Sequence, residues 1–136
     1  MAVLLDTGIL YALADSDDRW HVRARDYLQG AREAHLVPVT VIVEVTYLLH
    51  TRLGPDSERR FVQSLAKGEL PVEPLSHKDL DRCDELLGHY PELGFVDVSL
   101  IAMAERLRIV ALATTDRRHF ARVRPRHTRA FRLMPE

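Results

Sequence analysis

Four carboxylates in this chain stand where charge is costly. Asp6 follows the apolar run Ala2 to Leu5 at the tip of what reads as a buried strand, and Asp116 follows a similar run, Ile109 to Ala113, through Thr114 and Thr115. Glu44 is embedded in VIVEVTYLL and Asp97 in GFVDVSLIAMA. Desolvating a carboxylate costs several kcal/mol unless something pairs with it, and surface acids normally keep polar company. Each has a plain structural explanation when taken alone. Asp6 and Asp97 suit helix N-termini, where a cap or dipole contact contributes about 0.5 to 2 kcal/mol. Asp116 suits an Asx turn, and Glu44 suits the edge of a helix face.

Taken together, the four acids imply a cation. Carboxylates that converge without Lys or Arg partners raise one another's pKa, so such a cluster persists only when positive charge neutralises it. No His or Cys spacing typical of zinc accompanies them, and all-oxygen ligation points to Mg²⁺ or Mn²⁺. The expected direct ligands are Asp6, Asp97 and Asp116, with Glu44 acting directly or through water. Ions held in this way, about 3.5 to 4 Å apart when paired, serve phosphodiester hydrolysis by activating water, with no covalent nucleophile. The hydroxyls of Thr7, Ser99, Thr114 and Thr115 are expected behind the carboxylates, although a threonine at a strand end is also a common turn former. Arg117, Arg118 and His119 follow the last acid and are expected beside the cleft, in reach of phosphate; for His119 an exposed helix start is an equal alternative.

To bring these residues together the chain needs a parallel sheet. Strands are expected at Ala2 to Leu5, His35 to Val39, Leu70 to Leu75, Ile109 to Ala113 and Ala130 to Leu133, with the two prolines of LPVEPL sending the third to an edge. Helical patterns separate them. They start at Ile9, run from Trp20 to about Gly30, follow Thr40 as a cap until Gly54-Pro55, follow Asp56 or Ser57 to about Lys67, and cover Ser76 to Tyr90 and Phe95 to Leu107. Short strands alternating with longer helices signal an α/β fold whose parallel sheet gathers its ligands outside the strands' carboxyl ends. If the strands ending in VLLDT and LATTD are neighbours, Asp6 and Asp116 face one cleft.

The chain has 136 residues, 46% apolar and 29% charged, a globular balance that fits one domain over 1–136. No apolar run approaches the roughly 18 residues of a membrane span. The first residues lack the basic and long apolar regions of a secretory signal, and Cys83 is the sole cysteine, so a reducing cytoplasmic location is expected. Net charge is only −1, yet Arg117 to Arg132 contains seven arginines and no acid. That stretch suits either a polyanion contact or a solvated tail. Trp20, Tyr27, Tyr47, Leu48 and Leu49 supply apolar area for the core, with a share left for a dimer seam or a partner groove.

In order and spacing, VLLDT, the Glu of VTVIVEVTYLL, FVDVSLIAMAERLRI and ATTDRRHF resemble the PIN domain of VapC-type toxins from bacterial toxin–antitoxin pairs. The resemblance runs from Val3 to about Arg132. It implies a PIN-like fold, a central parallel β-sheet of four to five strands flanked by α-helices, and a Mg²⁺- or Mn²⁺-dependent endoribonuclease whose acidic quartet falls on Asp6, Glu44, Asp97 and Asp116. It also implies a homodimer, inhibition by a VapB-type antitoxin lying in the active-site groove, and cleavage of tRNA or rRNA loops that stops translation. Two departures stand out. Gly8 occupies a position where Ser or Asn is common, and Arg117, Arg118 and His119 stand where some members add another acid, so one tightly held ion is expected in the absence of RNA. An RNA-processing nuclease without a toxin role and a catalytically silent RNA- or protein-binding module are the alternatives within this fold. A phospho-acceptor module fits poorly, because Gly8 stands where a phosphatase needs a second Asp and no lysine follows Lys78.

Overall fold

The apolar run before Asp6 forms β1 (Ala2–Leu5), with Val3, Leu4 and Leu5 buried, in a computed structural model that describes residues 1–136. The chain continues through α1 (Thr7–Ala14), α2 (His21–Gly30), β2 (Ala34–Pro38), α3 (Val39–Leu53), α4 (Pro55–Ala66) and β3 (Val72–Glu73). It then forms α5 (His77–His89), α6 (Phe95–Leu107), β4 (Ala111–Ala113), α7 (Arg117–Arg122) and β5 (Arg132–Met134). All strands pair in parallel, in the order β3-β2-β1-β4-β5. β1 therefore has β2 on one side and β4 on the other, the point at which strand order reverses and an open parallel sheet splays a crevice. The register Leu5↔Ala113 sets the carboxyl ends of β1 and β4 side by side.

The helices are held to this sheet by burial. Val98 to Ala104 of α6 are buried without interruption, which marks α6 as a helix covered on all sides. Leu4, Leu5, Ile9, Leu100, Ile101 and Leu112 are among the largest fully buried side chains, so the core lies beneath the β1–β4 seam. Each such aliphatic contributes about 1.5 to 3 kcal/mol on burial. No helix is long and apolar enough to cross a membrane.

Local boundaries differ from the sequence reading where packing overrides propensity. Thr40 is not the cap of α3; β2 runs directly into that helix at Val39, and the Thr40 hydroxyl is 2.7 Å from Ser99 Oγ. Pro55 is the first residue of α4 and Gly54, at φ 100, precedes it, in place of a cap by Asp56 or Ser57. The last strand lies at Arg132–Met134 instead of Ala130 to Leu133, and α7 begins at Arg117, two residues before the helix start offered at His119. The third strand shrinks to Val72–Glu73 but takes the edge position its prolines require.

Candidate active site at the carboxyl edge of the sheet

Asp6 ends β1 and opens α1 as its N-cap. Its Oδ1 accepts the Thr7 amide at 2.8 Å and its Oδ2 accepts the Thr114 hydroxyl at 2.7 Å. Only 6% of Asp6 is exposed, and this burial pushes its carboxyl up to about 6 against an ordinary value near 3.8, with the charges of Asp97 and Glu44 adding to the shift. Thr114, fully buried at the end of β4, also accepts the Asp116 amide at 2.9 Å. One hydroxyl thus ties together the two acids that end neighbouring strands.

Asp116 caps α7, and Nδ1 of His119 lies 2.9 Å from its Oδ2. Asp97 sits in the first turn of α6, where its Oδ2 accepts the Gly94 amide at 3.4 Å, a long and weak cap. Burial raises its pKa, and the neighbouring charges of Asp116 and Glu44 push in the same direction. Asp97, Asp116 and His119 each present one ligand atom, all within 4.8 Å of one another. Glu44, on the exposed face of α3, accepts the Thr7 hydroxyl at 2.6 Å. All four acids therefore meet at one edge of the sheet, and neither lysine nor arginine pairs with any of them.

The donor set fits a divalent cation. The fit rests on two raised carboxyls, a buried Asp6 held in one rotamer by two donors, and three converging ligand atoms. One member departs from the all-oxygen expectation. His119 joins the ligand atoms, and an imidazole in the set suits Mn²⁺ better than Mg²⁺.

The chain matches the PIN domain family over residues 3–125. The chain belongs to the PIN domain family. By sequence this PIN domain is 27% identical to ribonuclease VapC26 of Mycobacterium tuberculosis over 135 residues, 98% of this chain and 100% of that one. By fold it is similar to VapC20 of the same organism, described as a sarcin–ricin-loop-cleaving toxin, with a TM-score of 0.78, 21% identity, and coverage of 84% of this chain and 89% of that one. It is also similar to a chain of a toxin–antitoxin complex from Klebsiella pneumoniae, with a TM-score of 0.70, 23% identity, and coverage of 89% and 92%.

The PIN domain places the expected auxiliary residues unevenly. Thr7 and Thr114 do reach the carboxylates. Ser99 does not; its hydroxyl donates to the Val96 carbonyl at 2.6 Å and pairs with Thr40, away from the acids. The Thr115 hydroxyl bonds none of them and fills the volume that a β-carbon at Gly8 would take. Arg117 turns away from the cleft. Its guanidinium donates to the carbonyls of Leu133 and Pro135 and lies over the Trp20 ring, 5.2 Å from the centroid. Arg118 is exposed and free of any ion pair. The sequence reading offered His119 as a phosphate contact or an exposed helix start and missed it as a neighbour of the ligand atoms; the signal was its spacing, third after a capping aspartate.

Proposed function

We propose that this chain is a divalent-metal-dependent endoribonuclease, the toxin of a toxin–antitoxin pair, that cuts tRNA or rRNA loops and thereby stops translation in the cytoplasm. The observation that carries the reading is the convergence of Asp97, Asp116 and His119 within 4.8 Å beside the buried Asp6. The ribonuclease name of the VapC26 relative and the loop-cleaving description of the VapC20 neighbour support the substrate class. A VapB-type antitoxin is the partner suggested by neighbours solved as toxin–antitoxin complexes.

Asp97, Asp116 and His119 would hold the ion, with Asp6 as the buried carboxylate behind them. A bound Mn²⁺ or Mg²⁺ supplies charge stabilisation at the scissile phosphate and lowers the pKa of water there. The chain's own residues do the rest. Thr114 fixes Asp6 and Asp116 relative to each other, and the Thr7 hydroxyl orients Glu44. Glu44, the exposed acid of the four, would take a proton from an attacking water. Arg118 lies one residue beyond the α7 start to meet phosphate. Val43 and Tyr47, 72% and 67% exposed on α3 beside Glu44, give an apolar face for a second copy of the chain or for the antitoxin.

The test is cleavage of a mixed RNA pool with Mn²⁺ or Mg²⁺, against a chelator control, by wild type and Asp97→Asn. Cutting by wild type alone, and only with metal, is expected. Cutting that ignores both chelation and the substitution would overturn the reading. Expression should arrest growth unless the antitoxin is co-expressed; harmless expression of an active enzyme would point to RNA maturation instead.

A further inference from the structure

One concavity of the chain lies well away from the acids. A pocket of ≈ 470 Å³ opens at the other end of α6, between α5, α6 and the segment leading into β5, and is lined by Lys78, Arg82, Arg106, Arg108 and Arg126 against two carboxylates, Asp79 and Glu105. Both carboxylates are already satisfied. Arg82 grips Glu105 through two N–H groups at 2.7 and 3.1 Å, and Arg106 grips Asp79 at 3.0 Å from Nε and 3.0 Å from Nη2. Arg126 reaches outward to Glu85 at 3.0 Å. Lys78 and Arg108 have no acidic partner, so the pocket keeps a positive excess.

Both unpaired cations occupy positions that local structure disfavours. Lys78 stands in the first turn of α5, where the helix dipole repels a cation. Arg108 holds φ 58 in the left-handed region as the C-cap of α6, a place that favours Gly or Asn. Helix formation does not account for either residue. The wall is also incompletely bonded: His127 uses Nε2 on the Ile109 carbonyl at 2.6 Å and leaves a buried Nδ1 with no partner, which a hydroxyl of a bound group or a bridging water would satisfy.

We infer that this pocket binds a phosphate group through Lys78, Arg108 and the free guanidinium edges around them. Its source is the RNA backbone, away from the bond to be cut, an assignment that rests on the ribonuclease reading above. Asp97 and Arg108 stand at opposite ends of α6, roughly 16 Å apart at the helical rise per residue. A folded RNA loop spans that interval with several backbone phosphates, whereas a dinucleotide at the acids does not.

The experiment uses the full chain in the presence of a chelator, so that binding is read without cleavage and failure of the nuclease reading leaves it intact. Wild type and Lys78→Gln/Arg108→Asn are compared for binding of a labelled RNA stem-loop across salt concentrations and for calorimetric binding of inorganic phosphate. Asn suits the left-handed position, so the variant should melt no lower than wild type, which separates lost binding from lost folding. RNA affinity is expected to fall about tenfold or more, with the slope of log affinity on log salt shallower by about 1.4, two phosphate contacts in a single strand. Lost phosphate binding with unchanged RNA binding would move the pocket to a small phosphate ligand. Unchanged binding of both probes would overturn it.

Discussion

Thr114 places its hydroxyl 2.7 Å from the buried Oδ2 of Asp6, a contact between residues 108 positions apart in sequence. The same oxygen accepts the Asp116 amide, so it is both donor to one acid and acceptor for the residue carrying another. Thr114→Val keeps the shape and removes the link. Folding stability is expected to drop by about 1 to 3 kcal/mol, the cost of leaving a buried carboxylate short of a donor. Metal affinity should fall about tenfold or more because Asp6 loses its orientation. Urea unfolding and Mn²⁺ titration measure the two effects; wild-type values in both would contradict the role given to Thr114.

The raised carboxyl of Asp6 predicts a pH signature. An acid pushed up to about 6 from 3.8 holds its proton more tightly folded than unfolded, so metal-free stability should decline as pH rises between those values and level off above them. Asp97 is shifted the same way. Asp79 and Glu105, held low by Arg106 and Arg82, pull in the opposite direction, so the difference between wild type and Asp6→Asn is the quantity to read. Metal-free wild type is expected to lose stability relative to Asp6→Asn as pH rises from 3.8 to about 6, with the difference constant above that interval. Parallel stability curves for the two proteins would rule this out.

Gly8 and Thr115 share one volume. A β-carbon at position 8 would overlap the Thr115 hydroxyl, so Gly8→Ser should destabilise by about 1 to 3 kcal/mol through overpacking. Thr115→Ala in the same chain should recover most of that loss. Thermal melting of the two single variants and the double variant closes the cycle, and additive losses would show that the residues do not compete for space.

Two adjacent arginines should behave differently. Arg117 anchors the C-terminal strand through the Leu133 and Pro135 carbonyls, so Arg117→Gln is expected to lower the melting temperature. Arg118 is exposed and unpaired, so Arg118→Gln should leave melting unchanged and weaken RNA binding with a salt slope shallower by about 0.7. Fluorescence anisotropy and calorimetry separate the cases; equal effects of both substitutions on RNA affinity would refute the division.

Much of this site was readable because strand ends are simple. An Asp at or shortly after the end of a buried apolar run emerges at the carboxyl edge of a parallel sheet, so Asp6 and Asp116 were expected to face one cleft if their strands were neighbours, as β1 and β4 are. Glu44 was found through its apolar neighbours, but the reason differs: Val43 and Tyr47 are themselves exposed, so they mark a surface and not a core. Ser99 was misplaced because it lies two positions after Asp97, and two helical residues apart means facing nearly opposite directions, here toward Thr40. α7 was legible only as a helix start offered at His119, because in RRHFAR only Phe120 is buried, leaving no apolar period to set its extent. Arg117 was assigned to the cleft because a contact with carbonyls 16 and 18 residues later has no local signature.

Calorimetric titration of Mn²⁺ into metal-free wild type, Asp97→Asn and Asp116→Asn tests the acidic cluster most directly. Uptake by wild type is expected, with each substitution weakening it by about tenfold or more, as loss of an orienting or ligating carboxylate does. Absence of uptake by a folded wild type, or identical isotherms for all three proteins, would contradict a metal centre built from these residues.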